Sequence, residues 1–122
     1  EMCLSVFAWA LQAGGAVDRR VGENFPRPHR DQSYTQCHTS DGQLRMVTCW
    51  VPLVPVTACS GCMYVVPADR DPLLDRPDAP AHLAPDAAAA RPLGEPVPCE
   101  AGDVLMWKSN LIHWGGACEE GV

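Results

Sequence analysis

Residues 101–116 read AGDVLMWKSNLIHWGG, and this stretch decides how the fold of the whole chain is interpreted. It contains two short apolar runs, residues 104–107 and 111–114, which are separated by polar residues and preceded by a Gly-Asp turn. Short apolar runs between turn residues are typical of β-strands. We therefore predict two consecutive strands, the second of which carries His113.

The same pattern extends upstream. Residues 44–53 are rich in β-branched and aromatic side chains, and residues 62–66 form an apolar run between a glycine and a proline, so both are predicted strands. Residues 85–91, with a proline at the start, predict one or two helical turns. The aspartate- and proline-rich residues 68–85 predict a surface excursion. Because twelve prolines and ten glycines interrupt the chain, long helices are not expected, and a mainly β sandwich or barrel is expected instead.

Length and charge indicate the number of domains and which kinds of partner are not expected. The 122 residues are predicted to form one domain, residues 1–122. A net charge of −6 without any basic run argues against a nucleic-acid partner. The apolar residues 2–10 are too short to span a bilayer and lack the basic flank of a signal peptide, so no membrane partner is expected. The chain begins at Glu1 and ends at Val122 without a recognisable natural terminus, and we expect it to be truncated.

The seven cysteines are irregularly spaced, and their odd number does not fit a disulfide framework. Several lie in apolar runs, where a free cysteine behaves as a small hydrophobic residue. We expect reduced thiols and therefore an intracellular reducing compartment, with the cytoplasm favoured. Cys59 and Cys62 form a lone C-x-x-C pair, which allows a thiol-redox or zinc module as an alternative. No second pair supplies further zinc ligands, so inert thiols are the preferred interpretation.

Only one of the four histidines, His29, is followed by a carboxylate two positions later, at Asp31. Residues two apart in a strand point to the same side, so this pair can face one metal ion. A third ligand from a distant strand, His113, would complete a two-histidine, one-carboxylate triad of the kind that binds iron(II) and leaves coordination positions open. From the residues alone two other interpretations stay open: a surface turn beside Pro28 and a buried core histidine at residue 113.

Four segments in this order resemble the phytanoyl-CoA dioxygenase family of iron(II)/2-oxoglutarate oxygenases. The resemblance implies a double-stranded β-helix, or jelly roll, that is incomplete at its C-terminus here. It also implies that iron is held by His29, Asp31 and His113. The segments are PRPHRDQSY at residues 26–34, WVPL at 50–53, SGCMYVVP at 60–67, and AGDVLMW through IHWGG at 101–116.

The resemblance further implies an enzyme that uses Fe(II), 2-oxoglutarate and O2 to hydroxylate a small organic substrate. An aspartate at position 31 favours hydroxylation over halogenation, and Trp50 is expected near the cosubstrate. In the family, an arginine soon after the distal histidine anchors 2-oxoglutarate, but no Arg or Lys follows His113 here. We expect that anchor beyond Val122, so this fragment is expected to be inactive or slow. A non-catalytic jelly-roll remnant is the main alternative.

Overall fold

The computed structural model describes residues 27–118, and these form short antiparallel strands with a few single-turn helices. The described part is therefore β-rich, as the sequence predicted. Its strands are β1 (Val47–Trp50), β2 (Met63–Val65), β3 (Glu95–Val97), β4 (Leu105–Lys108) and β5 (His113–Gly115). Its helices are α1 (Tyr34–Cys37), α2 (Ala87–Ala90) and two 3-10 turns, Ala68–Arg70 and Arg91–Leu93.

The strands are arranged in two sheets. One sheet has the order β3-β2-β5, and the other consists of β1 paired with β4; every pairing is antiparallel. The free edge of β5 is extended by one further residue, because His29 and His113 exchange both backbone hydrogen bonds, at 3.1 and 3.0 Å. The first predicted ligand segment thus joins the three-stranded sheet directly beside the strand that carries the third predicted ligand.

The apolar core lies against the three-stranded sheet. Its buried members are Val66, Ala90, Ile112 and Trp114, with Tyr64 and Leu93 packed at its margin. Trp114 stacks on Tyr64 at 5.4 Å between ring centroids. A side chain at Gly94 would collide with the indole ring of Trp114, so only glycine lets the chain pass there.

The structure confirms all four predicted strands, with shorter or shifted bounds. Sequence analysis missed β3, because its central Pro96 cannot donate to a sheet ladder and argues against a strand. The topology explains how the proline is accommodated: β3 is an edge strand with β2 on one side only. Helix α1 was also missed, although Ser33 and Gln36 form a capping box at its start.

The prediction for residues 68–85 is confirmed only in part, because two of their side chains are buried. Residues 68–85 were expected to be a surface excursion, yet Asp71 and His82 within them are buried. Asp71 pairs with the buried Arg30, and His82 accepts a hydrogen bond from the backbone N–H of Tyr34 at 3.1 Å. Turn-forming composition identified the irregular backbone correctly, but it did not reveal that two polar side chains turn inward.

The predictions about residues 2–10, the first of the seven cysteines (Cys3) and both chain ends lie outside the described residues. Within residues 27–118, no helix has the length and apolar character that crossing a membrane requires.

Candidate metal centre

Two neighbouring backbone segments bring the three predicted ligands together. His113 is the first residue of β5, and His29 faces it across the two backbone hydrogen bonds that join these segments. Their imidazole rings are therefore 4.5 Å apart between centroids, tilted by 50°. Asp31 lies two residues after His29, and its carboxylate points to the same side, because side chains alternate between the two sides of an extended segment.

The ligand atoms converge on one point. Oδ1 of Asp31 lies 3.6 Å from Nε2 of His29 and 3.5 Å from Nε2 of His113. One atom from each of the three residues lies within 4.8 Å of the other two, and no other such group occurs among residues 27–118. The structure therefore places the predicted triad in a geometry that could hold a metal ion.

Backbone carbonyls fix which nitrogen of each ring faces the centre. Nδ1 of His29 lies 2.8 Å from the carbonyl oxygen of Arg27, and Nδ1 of His113 lies 2.9 Å from that of Leu111. A carbonyl oxygen can only accept, so each Nδ1 carries a proton and donates it. In the neutral imidazoles, both Nε2 atoms are then unprotonated and point at a carboxylate.

Three acceptor atoms thus meet with no proton between them. Such a cluster repels itself unless a cation, either a proton or a metal ion, lies at its centre. When a proton occupies the centre on an Nε2 atom, that imidazole donates to Asp31: burial alone would raise the pKa of Asp31, but such hydrogen bonds from His113 and His29 hold it far below its usual range. Burial would lower the pKa of His29, yet the hydrogen bond to Asp31 raises it above 6.5.

The centre is closed on one side and open on the other. The His113 side chain is only 4% exposed and packs against the ring of Trp107 at 4.7 Å, whereas that of Asp31 is 32% exposed. A cavity of about 490 Å³ reaches His29 and is lined also by Arg27 and Arg91. A small molecule could therefore approach the centre from the open side.

The remaining predicted residues lie elsewhere or stay untested. Trp50 ends β1 and is half-buried on the same strand face as Thr48, but no measured contact joins it to the triad. Cys59 and Cys62 are free thiols, like every cysteine in the described part, and they belong to no metal-binding group there. Burial raises the pKa of Cys62, which makes a reactive thiolate there unfavourable.

Sequence reasoning missed the residues that support the triad. Thr48 in β1 donates a hydrogen bond to Oδ2 of Asp31 at 2.5 Å, and Ser109, in the turn after β4, lies 3.1 Å from the Thr48 hydroxyl. Arg30, between His29 and Asp31 in sequence, forms a buried ion pair with Asp71. The only sequence signal for Thr48 was its place in a predicted strand, which did not say what it faced.

Comparison with known protein families gives one match. The family model described as Phytanoyl-CoA dioxygenase (PhyH) matches residues 10–119, which include all three residues of the triad. Neither the curated proteins nor the solved structures gave a match.

Proposed function

The chain belongs to the phytanoyl-CoA dioxygenase family, and on that basis we propose that it is an iron(II)- and 2-oxoglutarate-dependent dioxygenase that hydroxylates a small organic substrate. The observation that supports this most strongly is the meeting of two unprotonated Nε2 atoms and one carboxylate oxygen, which calls for a cation. Two imidazoles and one carboxylate are the donor set that suits non-haem iron(II).

In this proposal His29, Asp31 and His113 hold the iron. When bound, iron(II) supplies the activation of O2 that is coupled to oxidative decarboxylation of 2-oxoglutarate. The protein's own contribution is orientation: the Arg27 and Leu111 carbonyls fix the two imidazoles, and such hydrogen bonds also raise the basicity of metal-bound histidines. Trp107 keeps water away from His113, since it covers that side of the ring.

We also propose that the two sheets are parts of a jelly roll. The strand pairings are nested: β2 pairs with β3, β1 pairs with β4 around them, and the His29 segment pairs with β5 outside both. Successive pairs alternate between the two sheets. A chain folded as one long antiparallel ribbon and rolled up gives this order, and that is how a jelly roll is built.

The anchor for 2-oxoglutarate stays a prediction. Arg30 is close to the triad in sequence, but its guanidinium is buried and already paired with the carboxylate of Asp71. A planar guanidinium is the group best suited to bind the far carboxylate of the cosubstrate in a bidentate manner. We propose that Trp50 lies near the cosubstrate.

The test combines metal binding with turnover. The chain is loaded with iron(II) under nitrogen, and succinate release from 2-oxoglutarate is measured after air is admitted. Asp31→Ala should remove most iron binding and all coupled turnover, because only two neutral ligands remain. His82→Asn, at a buried histidine outside the triad, is the matched control and should bind iron normally. Equal iron affinity in the Asp31 variant would refute the metal assignment. Normal iron binding without succinate would favour the non-catalytic alternative.

A further inference from the structure

The hydroxyl of Thr48 makes a contact that the ligand set alone does not require. It donates to Oδ2 of Asp31 at 2.5 Å, while Oδ1 of the same carboxylate faces both imidazoles at 3.5 and 3.6 Å. The two carboxylate oxygens therefore have different partners. A hydrogen bond between a hydroxyl and a carboxylate at this distance is charge-assisted and belongs to the stronger class.

The Thr48 hydroxyl also lies within hydrogen-bond distance of the Ser109 hydroxyl. Their hydroxyl oxygens are 3.1 Å apart. Thr48 has a single hydroxyl proton, and the ionised carboxylate of Asp31 can only accept. The Thr48 proton is therefore given to Asp31 at the shorter distance, and the Ser109 hydroxyl oxygen is the alternative acceptor for it. Ser109 is buried, and its backbone carbonyl accepts from the N–H of Gln32 at 3.1 Å, so it holds the Asp31 segment by two routes.

These contacts join three parts of the fold at one carboxylate. Thr48 comes from β1, Ser109 from the turn between β4 and β5, and Asp31 from the segment beside β5. The cross-strand partner of Thr48 is Trp107, which packs on His113. Any shift of the two-stranded sheet relative to the three-stranded sheet would thus change the positions of Asp31 and His113.

We propose that Thr48 is a positioning residue that makes Asp31 a one-oxygen ligand. By holding Oδ2, it leaves only Oδ1 for the metal. If Oδ2 were released, both oxygens could turn to the same cation, and the protein would fill a position that the triad otherwise leaves open for cosubstrate. The inference rests on the metal centre proposed above, but it concerns a residue outside the ligand set.

The experiment uses cobalt(II) as the probe, because its visible absorption reports coordination number without O2 or turnover. Cobalt(II) is titrated into the metal-free full chain and into Thr48→Val, which keeps the shape of the side chain but loses the hydroxyl. We expect about 10–100-fold weaker binding, in the range found when partners of metal ligands are removed, together with a changed absorption spectrum. Thr48→Ser restores the hydroxyl and should restore both affinity and spectrum.

Thr57→Val is the matched control, since its hydroxyl bonds with Ser60 in a turn away from the triad. It should bind cobalt like the unaltered chain. If Thr48→Val binds cobalt within about threefold of the unaltered chain with the same spectrum, the proposal is overturned. It is equally overturned if Thr48→Ser behaves like the valine variant. If Thr48→Val does not fold, Thr48→Ala replaces it, since it also lacks the hydroxyl, and should give the same loss of affinity and the same spectral change. Failure of the unaltered chain to bind cobalt would instead count against the metal centre itself.

Discussion

Replacement of Arg30 by Met should destabilise the protein far more than loss of a typical surface charge. The Arg30 and Asp71 side chains are 0% and 1% exposed, and Nη2 of Arg30 lies 2.9 Å from each carboxylate oxygen. Arg30→Met would leave the Asp71 carboxylate buried with no cation. Breaking a buried pair in this way costs about 3–5 kcal/mol. That is a large part of the roughly 5–15 kcal/mol that stabilises a typical domain.

The double variant Arg30→Met/Asp71→Leu separates the charge from the packing. Replacing both members of a buried ion pair by apolar side chains is often neutral or stabilising, because two desolvation penalties disappear. One backbone hydrogen bond, from Leu73 N–H to Asp71 at 3.1 Å, is also lost, at about 1 kcal/mol. Nε and Nη1 of Arg30 have no partner within the described residues, so their removal costs nothing further there. The double variant should therefore lie within about 2 kcal/mol of the unaltered protein.

Urea unfolding, followed by far-ultraviolet circular dichroism, measures these differences as shifts in midpoint at constant slope. Arg70→Met is the matched control, because Arg70 pairs with Glu95 at the surface, where both side chains are about half exposed. Pairs of that kind contribute about 0–1 kcal/mol. The reasoning fails if Arg30→Met costs no more than Arg70→Met, or if the double variant is as unstable as the single one.

Three further outcomes follow from the structure. Because folding raises the pKa of His29, its protonated form adds to the free energy of unfolding of the metal-free protein. This contribution is complete below pH 6.5 and is lost as the pH rises through the raised pKa. Metal-free unfolding temperature should thus fall with rising pH across this window, while cobalt affinity measured by titration rises; parallel trends would contradict the shared site. Gly94→Ala should cost about 1–3 kcal/mol in urea unfolding, since the added methyl group meets the Trp114 ring; an unchanged midpoint would contradict this. Changing Cys59 and Cys62 together to Ser should leave iron content, measured by metal analysis, unchanged, and loss of iron with an intact circular dichroism spectrum would argue for a thiol site.

The parts of this protein that could be predicted from sequence are those governed by local spacing. An interval of two residues between His29 and Asp31 puts both on one side of an extended segment, whatever surrounds them. The apolar run before His113 likewise marked a strand. Which distant strand would face the pair was not encoded in any spacing. The family resemblance supplied that information, and the structure places His113 opposite His29.

The parts that could not be predicted depend on tertiary contacts between residues far apart in sequence. Asp71 and His82 lie among prolines and aspartates that are typical of exposed loops, and only Arg30 and Tyr34 explain why they are buried. Arg30 itself would be read as a solvent-exposed charge. A buried ion pair is visible only when both partners are known, because each of the two residues alone resembles a surface residue.

The location of the triad relative to the two sheets links these observations. Both imidazoles come from the three-stranded sheet and its extension. The Thr48 hydroxyl that donates to Asp31 and the Trp107 indole that packs against His113 come from β1 and β4 of the other sheet. The ligands are thus oriented by one sheet and supported by the other. A bound metal ion would stabilise the arrangement of both sheets, since a ligand that binds only the folded state adds to the free energy of unfolding. The same contacts explain why a centre formed by an edge strand, normally the weakest part of a sheet, can hold its ligand atoms within a few ångströms of one another.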